Sequence, residues 1–353
     1  LFCFLFVVIS FNGCQQNNYK MEDFYKVEKI DAHVHLNSIN SSWIELAKED
    51  NFKLLSINVH YSDFNPVEEQ YAFSLKHSKE DPTVFTFAST FHMSGWDDPN
   101  WVDKVISHLD STFSEGAVAV KIWKNIGMEF RDKDGNLVMI DNPRFDPIFN
   151  HIKEKGIVLI GHLGEPKDCW LPVDQMINND SKEYFTNHPQ YHMYLHPDLP
   201  SYEDQINARN KMLDKHKDIS FMGAHTGSLE WSLVELENFF DNYENAVVDL
   251  GARMGYMQYH AATDWENTRN FCIKYSDRIL YATDNVQESS GDPKVFKEEA
   301  HKKWITDWKF LTTDSTMHSK DIDLPFKGLA LPKNVIDKIY RENAVQLFQK
   351  AWR

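Results

Sequence analysis

Short apolar runs alternate with segments of helical character along most of the chain. Eight runs are long enough for strands, at residues 27–34, 53–59, 83–89, 117–122, 157–160, 219–223, 246–250 and 278–282. Each is followed by a segment with helix signals, such as a proline in a first turn or a glycine after a last turn. Such alternation is typical of a parallel sheet, and eight repeats match a closed barrel. The pattern predicts an α/β protein with a (β/α)8 TIM-barrel fold.

Two long stretches interrupt this alternation. Residues 166–199, between the fifth and sixth runs, are rich in Tyr, His, Trp and Pro but show little periodicity. Residues 292–331 separate the eighth run from a final helix predicted over 332–349. Long loops in compact domains usually cap a site or are disordered, and the aromatic content of the first stretch favours a cap. We predict one domain, residues 21–353, with long loop inserts after strands 5 and 8.

The first residues carry a separate signal. Residues 1–10 are apolar but too few to span a bilayer, and they resemble the hydrophobic region of a signal peptide. A buried strand or helix is the competing interpretation. The sequence Phe-Asn-Gly-Cys ending at Cys14, followed by a polar stretch, resembles the lipobox and tether of a bacterial lipoprotein. On that resemblance residues 1–20 are a signal peptide, anchor and tether, and Cys14 is lipidated. The protein would then be exported and held on the periplasmic side of a membrane by its lipid alone.

Composition narrows the function classes. The 37 Lys and Arg residues are outnumbered by 53 Asp and Glu residues, which gives a net charge of -16. Such a chain repels phosphate backbones, so nucleic acid is excluded as an expected partner. If Cys3 and Cys14 belong to the export signal, Cys169 and Cys272 are too few for a disulfide framework. The domain must therefore be stabilised by its apolar core.

A His-x-His pair ends the first predicted strand. His33 and His35 are two positions apart, so their side chains point the same way from a strand and can bind one ion. A single His-x-His is equally compatible with a structural role. The positions of the other candidate ligands decide between these interpretations.

Three further candidate ligands follow predicted strands. His162 comes after the fifth, His225 after the sixth and Asp284 after the eighth. The carboxyl ends of barrel strands converge on one face, where this fold builds its active sites. Imidazole and carboxylate ligands together suit zinc and related ions. We therefore expect a metal site, against the alternative that all five residues are ordinary hydrogen-bonded polar groups.

Lys121 ends the apolar fourth strand, where a buried ammonium without a partner is costly. Three interpretations remain open. It is a rim lysine that reaches solvent, a cation that holds a substrate anion, or a lysine carboxylated by carbon dioxide that bridges two metals.

The motifs together resemble the amidohydrolase superfamily. They are Ile-Asp-Ala-His-Val-His ending at His35, Gly-His-Leu-Gly around His162, Gly-Ala-His-Thr-Gly around His225 and Ala-Thr-Asp ending at Asp284. The tail Ile-Tyr-Arg-Glu-Asn-Ala-Val-Gln-Leu-Phe resembles the end of its amidohydrolase-related branch, which includes metal-dependent decarboxylases. The resemblance implies that His33, His35, His162 and Asp284 bind Zn²⁺ or another divalent ion such as Mn²⁺. It makes His225 a ligand or an adjacent catalytic group, and one or two ions remain open.

The resemblance also implies a function. The leading expectation is a metal-dependent hydrolase that cleaves an amide, lactone or other ester bond with activated water. Asp284 would move the water proton, with His225 and Lys121 as further catalytic groups. The alternative is a metal-dependent decarboxylase of a small carboxylic acid. A binding lipoprotein without activity is a third class, which does not need an open metal site.

Loops after the strands supply the candidate substrate contacts. Trp123 follows the fourth strand, Glu165 the fifth and Arg253 the seventh. Arg253 suits a bidentate contact with a substrate carboxylate, and an ion pair with Asp249 or another acid is the competing interpretation. The expected partner is a small molecule, with a carboxylate as a candidate group. The sequence leaves open whether the chain forms a homo-oligomer.

Overall fold

The computed structural model describes residues 18–61 and 63–352. In this part of the chain one sheet contains nine parallel strands in the order β8-β7-β6-β5-β4-β3-β2-β1-β9. The strands are β1 Lys29–Asn37, β2 Phe52–Ile57, β3 Phe85–Thr90, β4 Ala119–Ile122, β5 Val158–Gly161, β6 Phe221–Gly223, β7 Ala246–Asp249, β8 Ile279–Leu280 and β9 Val286–Glu288. A two-stranded antiparallel sheet is formed by β10 Thr316–Met317 and β11 Phe326–Lys327.

The sheet closes through a strand that is split in two. β8 pairs with β7, and β9, a few residues further along the chain, pairs with β1. Between the two pairings, the backbone N–H of Ala32 donates to Tyr281 O at 3.0 Å, and the N–H of Asp284 donates to His33 O at 2.8 Å. β8 and β9 therefore act together as the eighth strand, which confirms the predicted barrel.

Helices surround the sheet. They are α1 Ser42–Glu49, α2 Val67–Glu80, α3 Trp101–Ser114, α4 Asn125–Met128, α5 Asp146–Glu154, α6 Asn179–Asn187, α7 Tyr202–Lys215, α8 Ala224–Gly227, α9 Leu233–Asn242, α10 Met254–Thr263, α11 Trp265–Lys274, α12 Pro293–Thr312, α13 Lys333–Asp337 and α14 Asn343–Leu347. The short segments α4 and α8 contain residues with non-helical backbone angles. Within residues 18–61 and 63–352, no helix is long and apolar enough to cross a membrane.

All eight predicted strands are present, with bounds shifted by a few residues. The stretch predicted as a loop insert after strand 8 instead contains α12, which has 20 residues. The sequence Asp292-Pro293 is a typical helix start. In the structure Asp292 is the N-cap residue, its side chain accepts from the N–H of Lys294, and Pro293 occupies the first turn. Trp304 and Trp308, four residues apart on one face, are fully buried against the barrel.

The stretch 166–199 contains α6 and several single turns. It has its own small apolar cluster, which includes Cys169, Met176, Phe185 and Met193. Its backbone is fixed by Asp168, whose carboxylate accepts from the N–H groups of Ile177 and Asn178.

Two apolar clusters form the rest of the core. One lies inside the barrel, where Ile30, Leu55, Ile160 and Leu280 meet, and Phe348 from the chain end joins it. The larger cluster lies between the strands and the helices. At the start of the described chain, Asn18 donates to Ala330 O at 3.1 Å. Cys14, the predicted lipidation site, lies outside the described residues.

Candidate metal centre

The carboxyl ends of the strands surround a cavity of about 270 Å³. Seven of the residues singled out in the sequence line it: His33, His35, Lys121, Trp123, His162, His225 and Asp284. They come from five segments of the chain, and the barrel brings them to one face, as expected for residues at the ends of parallel strands.

Three side chains at the centre are close enough to hold one ion. Ligand atoms of His33, His225 and Asp284 all lie within 4.8 Å of one another, and in the described part of the chain no other group of three does so. Asp284 Oδ1 is 3.1 Å from His33 Nε2 and 3.2 Å from His35 Nε2. Since the ligands of a tetrahedral zinc ion lie about 3.4 Å from one another, this spacing suits a single ion shared by these side chains.

Hydrogen bonds on the far side of each ring orient these histidines. Nδ1 of His33 faces Asp249 Oδ2 at 2.9 Å, Nδ1 of His35 faces Ile57 O at 2.7 Å, and Nδ1 of His225 faces Gly251 O at 2.8 Å. The partner is an acceptor in each case, so Nδ1 donates and Nε2 keeps its lone pair. This tautomer is the one that binds a metal through Nε2.

Asp249 connects three of the strand ends, a role that was not predicted from the sequence. Its Oδ1 accepts from the backbone N–H groups of His225 and Gly251, both at 2.9 Å, while Oδ2 faces His33. The signal was present, because Asp249 ends a predicted strand just as Asp284 follows one. In the sequence it was considered only as a partner of Arg253.

The protonation states also fit a metal centre. Burial, with Lys121 nearby, lowers the pKa of His33, and burial likewise holds the pKa of His225 well below its usual value. Burial opposes ionisation of Asp284, but the contacts with His225, His33 and His35 outweigh it and keep its pKa well below the usual range. Neutral imidazoles around an ionised carboxylate are the forms that a divalent cation binds.

His162 lies beside this group. Its ring centre is 4.2 Å from that of His225, and burial lowers its pKa to about 3. Its buried Nε2 has no hydrogen-bond partner, and the nearest acid oxygen is Glu165 Oε2 at 3.5 Å. A buried imidazole nitrogen without a partner is costly, and a cation would satisfy it. The donor set therefore fits a divalent ion.

Lys121 is buried in the same cavity. Its side chain does not reach solvent, so the interpretation as a rim lysine is wrong. Nζ is 3.3 Å from His33 Nε2, and burial lowers the pKa of the amine to about 8. This position is compatible with both remaining interpretations, a substrate-binding cation and a carboxylated ligand.

The candidate substrate residues differ in their placement. Trp123 lines the cavity, while the Glu165 carboxylate is ion-paired with Lys124. Arg253 does not line the cavity, and its Nε is 3.8 Å from Glu230 Oε2. The acid near Arg253 is thus Glu230 rather than Asp249.

An aromatic wall completes the cavity. Tyr61, Phe64 and Tyr184 line it together with Trp123, and the rings of Tyr61 and Trp123 are 4.7 Å apart. Tyr184 belongs to α6, in the stretch between strands 5 and 6. These three residues were not predicted from the sequence, since no strand-end signal marks them.

Backbone strain is concentrated at this face. Of eight non-glycine residues with positive φ in the described chain, five follow β6, β7 or β8: His225, Thr226, Ser228, Ala252 and Asp284. Each such residue costs on the order of 1–3 kcal/mol, and strain of this kind persists where the surroundings enforce it. The barrel thus holds two of the candidate ligands, His225 and Asp284, in unfavourable backbone conformations.

No family model matches the chain, and no curated protein matches its sequence. Solved structures with a similar fold include 2,6-dihydroxybenzoate decarboxylase from Rhizobium, with 12% identity and a TM-score of 0.52 over 91% of this chain and 98% of that one. An uncharacterized TIM-barrel protein from Bordetella bronchiseptica has 13% identity and a TM-score of 0.51, over 93% and 100% of the two chains. A probable 2-pyrone-4,6-dicarboxylic acid hydrolase from Acinetobacter baumannii has 11% identity and a TM-score of 0.50, over 92% and 100%.

By their names, two of these neighbours in fold are a decarboxylase and a probable hydrolase. At such low identity the likeness establishes the barrel fold. The chemistry of the site is therefore inferred from the arrangement of side chains at the strand ends.

Proposed function

We propose that the chain is a metal-dependent hydrolase that cleaves an amide, lactone or other ester bond of a small molecule. One observation carries this proposal: the ionised carboxylate of Asp284 lies 3.1 Å and 3.2 Å from Nε2 of His33 and His35. Hydrogen bonds at Nδ1 of both rings direct Nε2 towards this carboxylate. His33, His35, His225 and Asp284 would hold the ion, with His162 beside them. A bound zinc or manganese ion would polarise the substrate carbonyl and lower the pKa of water.

Asp284 is the proton carrier in this scheme. Its Oδ1 contacts His33 and His35, and its Oδ2 lies 3.9 Å from His225 Nδ1. Oδ2 is therefore the atom that accepts the proton of the attacking water and returns it to the leaving group. Lys121, with its buried amine on the same cavity, supplies positive charge for the oxyanion that develops.

The cavity also limits the substrate. About 270 Å³ suits a small molecule, and the aromatic side chains of Tyr61, Trp123 and Tyr184 along the cavity favour a flat, unsaturated group. Lys121 favours an anionic substituent. Two neighbours in fold are named after flat ring carboxylic acids of this kind, 2,6-dihydroxybenzoate and 2-pyrone-4,6-dicarboxylic acid.

The same wall favours a second candidate, a metal-dependent decarboxylase of a small ring carboxylic acid. In that reaction the carbon–carbon bond to the carboxylate breaks, a proton replaces carbon dioxide on the ring, and no water is consumed. That proton comes from the solvent, and Asp284 or His225 would relay it to the ring.

Product analysis in ¹⁸O-labelled water separates the two reactions. The protein is loaded with Zn²⁺ or Mn²⁺ and incubated with a panel of lactones, amides and ring carboxylic acids. Hydrolysis incorporates one labelled oxygen into the product, whereas decarboxylation releases carbon dioxide and incorporates none. Failure of the chelated protein to take up zinc or manganese would refute both reactions.

The Asp284→Asn variant tests the role of the carboxylate on any substrate found. The amide keeps one oxygen ligand but loses the basic site, so zinc is retained while kcat/KM falls by about a hundredfold or more. A near-unchanged kcat/KM would show that Asp284 is not the proton carrier.

A further inference from the structure

Helix α7 presents polar side chains to the barrel, where packed helices usually present apolar ones. Tyr202, Gln205 and Arg209 are three and four positions apart, so they share one face of the helix, and all three are buried. Each donates to a backbone carbonyl of a loop at the carboxyl end of the barrel. Tyr202 Oη donates to Ser228 O at 2.5 Å, Gln205 Nε2 to Gly127 O at 2.7 Å and Arg209 Nη1 to Gly227 O.

Two of these carbonyls belong to a left-handed turn. Residues 225–228 have φ values of 58°, 55°, 61° and 58°, and all but Gly227 carry a side chain. Isolated left-handed residues are common in turns, but four in succession are not. Such a turn is kept only if its surroundings enforce it.

Arg209 helps to hold this turn in place. Its guanidinium lies over the Phe239 ring, 4.6 Å from the ring centre, and donates to Gly227 O and to Asn210 Oδ1. A fully buried guanidinium bound to neutral acceptors is costly to keep, because it gives up its hydration without a carboxylate in return. A residue that is so costly to bury is expected to have a role besides packing.

The turn determines where His225 lies. Its left-handed backbone brings the His225 N–H to Asp249 Oδ1 and its Nδ1 to Gly251 O. Ser228, at the other end of the turn, donates through Oγ to Gly164 O, two residues after His162. The positions of both histidines thus depend on a turn that α7 holds from outside.

We propose that Arg209 is the positioning residue for His225, acting through the left-handed turn and without lining the cavity itself. The inference rests on the proposed function only in that His225 belongs to the metal centre. Arg209 is not among the residues that line the cavity, so its loss should act on the metal centre through geometry alone.

Arg278 offers a matched control. It also donates to backbone carbonyls, of Tyr243 and Ala246, and its guanidinium lies 4.9 Å from the Phe240 ring centre. It precedes β8 and therefore lies at the opposite end of the barrel. Arg278→Met removes a comparable set of contacts without touching the metal centre.

The experiment measures the zinc affinity of the full chain by competition with a chromophoric chelator, together with Tm. We expect Arg209→Met to weaken zinc binding by about 10- to 100-fold. Arg209→Lys, which keeps one donor, should restore part of it, and Tyr202→Phe should cause a smaller loss. Arg278→Met should lower Tm with unchanged affinity. Equal zinc affinity of Arg209→Met and Arg278→Met would overturn the proposal.

A second measurement needs no metal. In a crystal structure of metal-free Arg209→Met, or of Arg209→Lys if the first does not fold, residues 225–228 should leave the left-handed conformation and His225 should shift. A retained turn with His225 in place overturns the proposal whatever the zinc result. If the wild-type protein binds no zinc while the turn does depend on Arg209, the proposed function fails and the positioning role stands.

Discussion

Replacing Asp249 by asparagine should weaken metal binding although Asp249 is not expected to touch the metal. The amide oxygen can still accept from the N–H groups of His225 and Gly251. The amide nitrogen, however, now faces His33 Nδ1, and two donors cannot bond to each other. His33 must then protonate Nε2 and accept through Nδ1, which blocks the atom that binds the ion.

The size of the effect follows from the bond that is lost. A hydrogen bond to a charged group contributes about 1.5–3 kcal/mol, and the Asp249 carboxylate provides one to His33 at 2.9 Å. At about 1.4 kcal/mol per tenfold change, the zinc affinity should fall by roughly 10- to 100-fold. This agrees with the usual loss of metal affinity when the hydrogen-bond partner of a metal ligand is removed.

The assay is zinc titration of the chelated protein, with Asp168→Asn as the control. Asp168 is an equally buried carboxylate that accepts from two backbone N–H groups, those of Ile177 and Asn178, and from Tyr256 Oη at 2.7 Å. Its loss should affect stability and leave zinc affinity unchanged. Wild-type zinc affinity in Asp249→Asn, or an equal loss in both variants, would refute the tautomer argument.

Three further outcomes are expected. Lys121→Ala should lower the metal content measured by elemental analysis if Lys121 is a carboxylated bridge, and should raise KM at unchanged metal content if it binds the substrate anion. Burial, offset in part by Asp50, lowers the pKa of Lys29 from 10.5 to about 7, so the unfolded chain binds a proton that the folded chain lacks between these values. Stability from this group must therefore rise with pH from about 7 to 10.5, by up to about 1.4 kcal/mol per unit, and Lys29→Met should flatten that slope in urea unfolding. Cys14→Ser should move the exported protein from the membrane to the soluble fraction at unchanged activity, and equal partitioning of both forms would contradict lipidation.

The sequence predicted the residues that depend on strand ends. His33, His162, His225 and Asp284 each end or follow an apolar run, and the topology of a parallel barrel brings such positions together regardless of their separation along the chain. The same rule applies to Asp249. The sequence predicts its position at a strand end but not its hydrogen bond with His33. A side chain at a strand end can face a metal, a substrate or another metal ligand, and only the three-dimensional structure distinguishes these cases.

Other parts of the site follow no repeating pattern. Tyr184 reaches the cavity from α6, in a stretch whose short turns leave little periodicity to detect. The split of the eighth strand was also hidden, because β9 has three residues and lies next to Asp284 in sequence. The left-handed turn at 225–228 contains ordinary residue types, so the packing against α7 rather than local preference determines it.

The split eighth strand has a consequence for how the protein folds. Asp284 lies in the seam where the last strand meets the first, and near it Asp31 contacts Thr283, 252 positions away in the chain. Contacts of such long range form late, because much loop entropy must be lost before they are gained. The candidate metal centre therefore cannot exist in any partly folded chain with an open barrel. An ion bound there would join the two ends of the sheet, so metal in the medium should slow unfolding far more than it speeds folding.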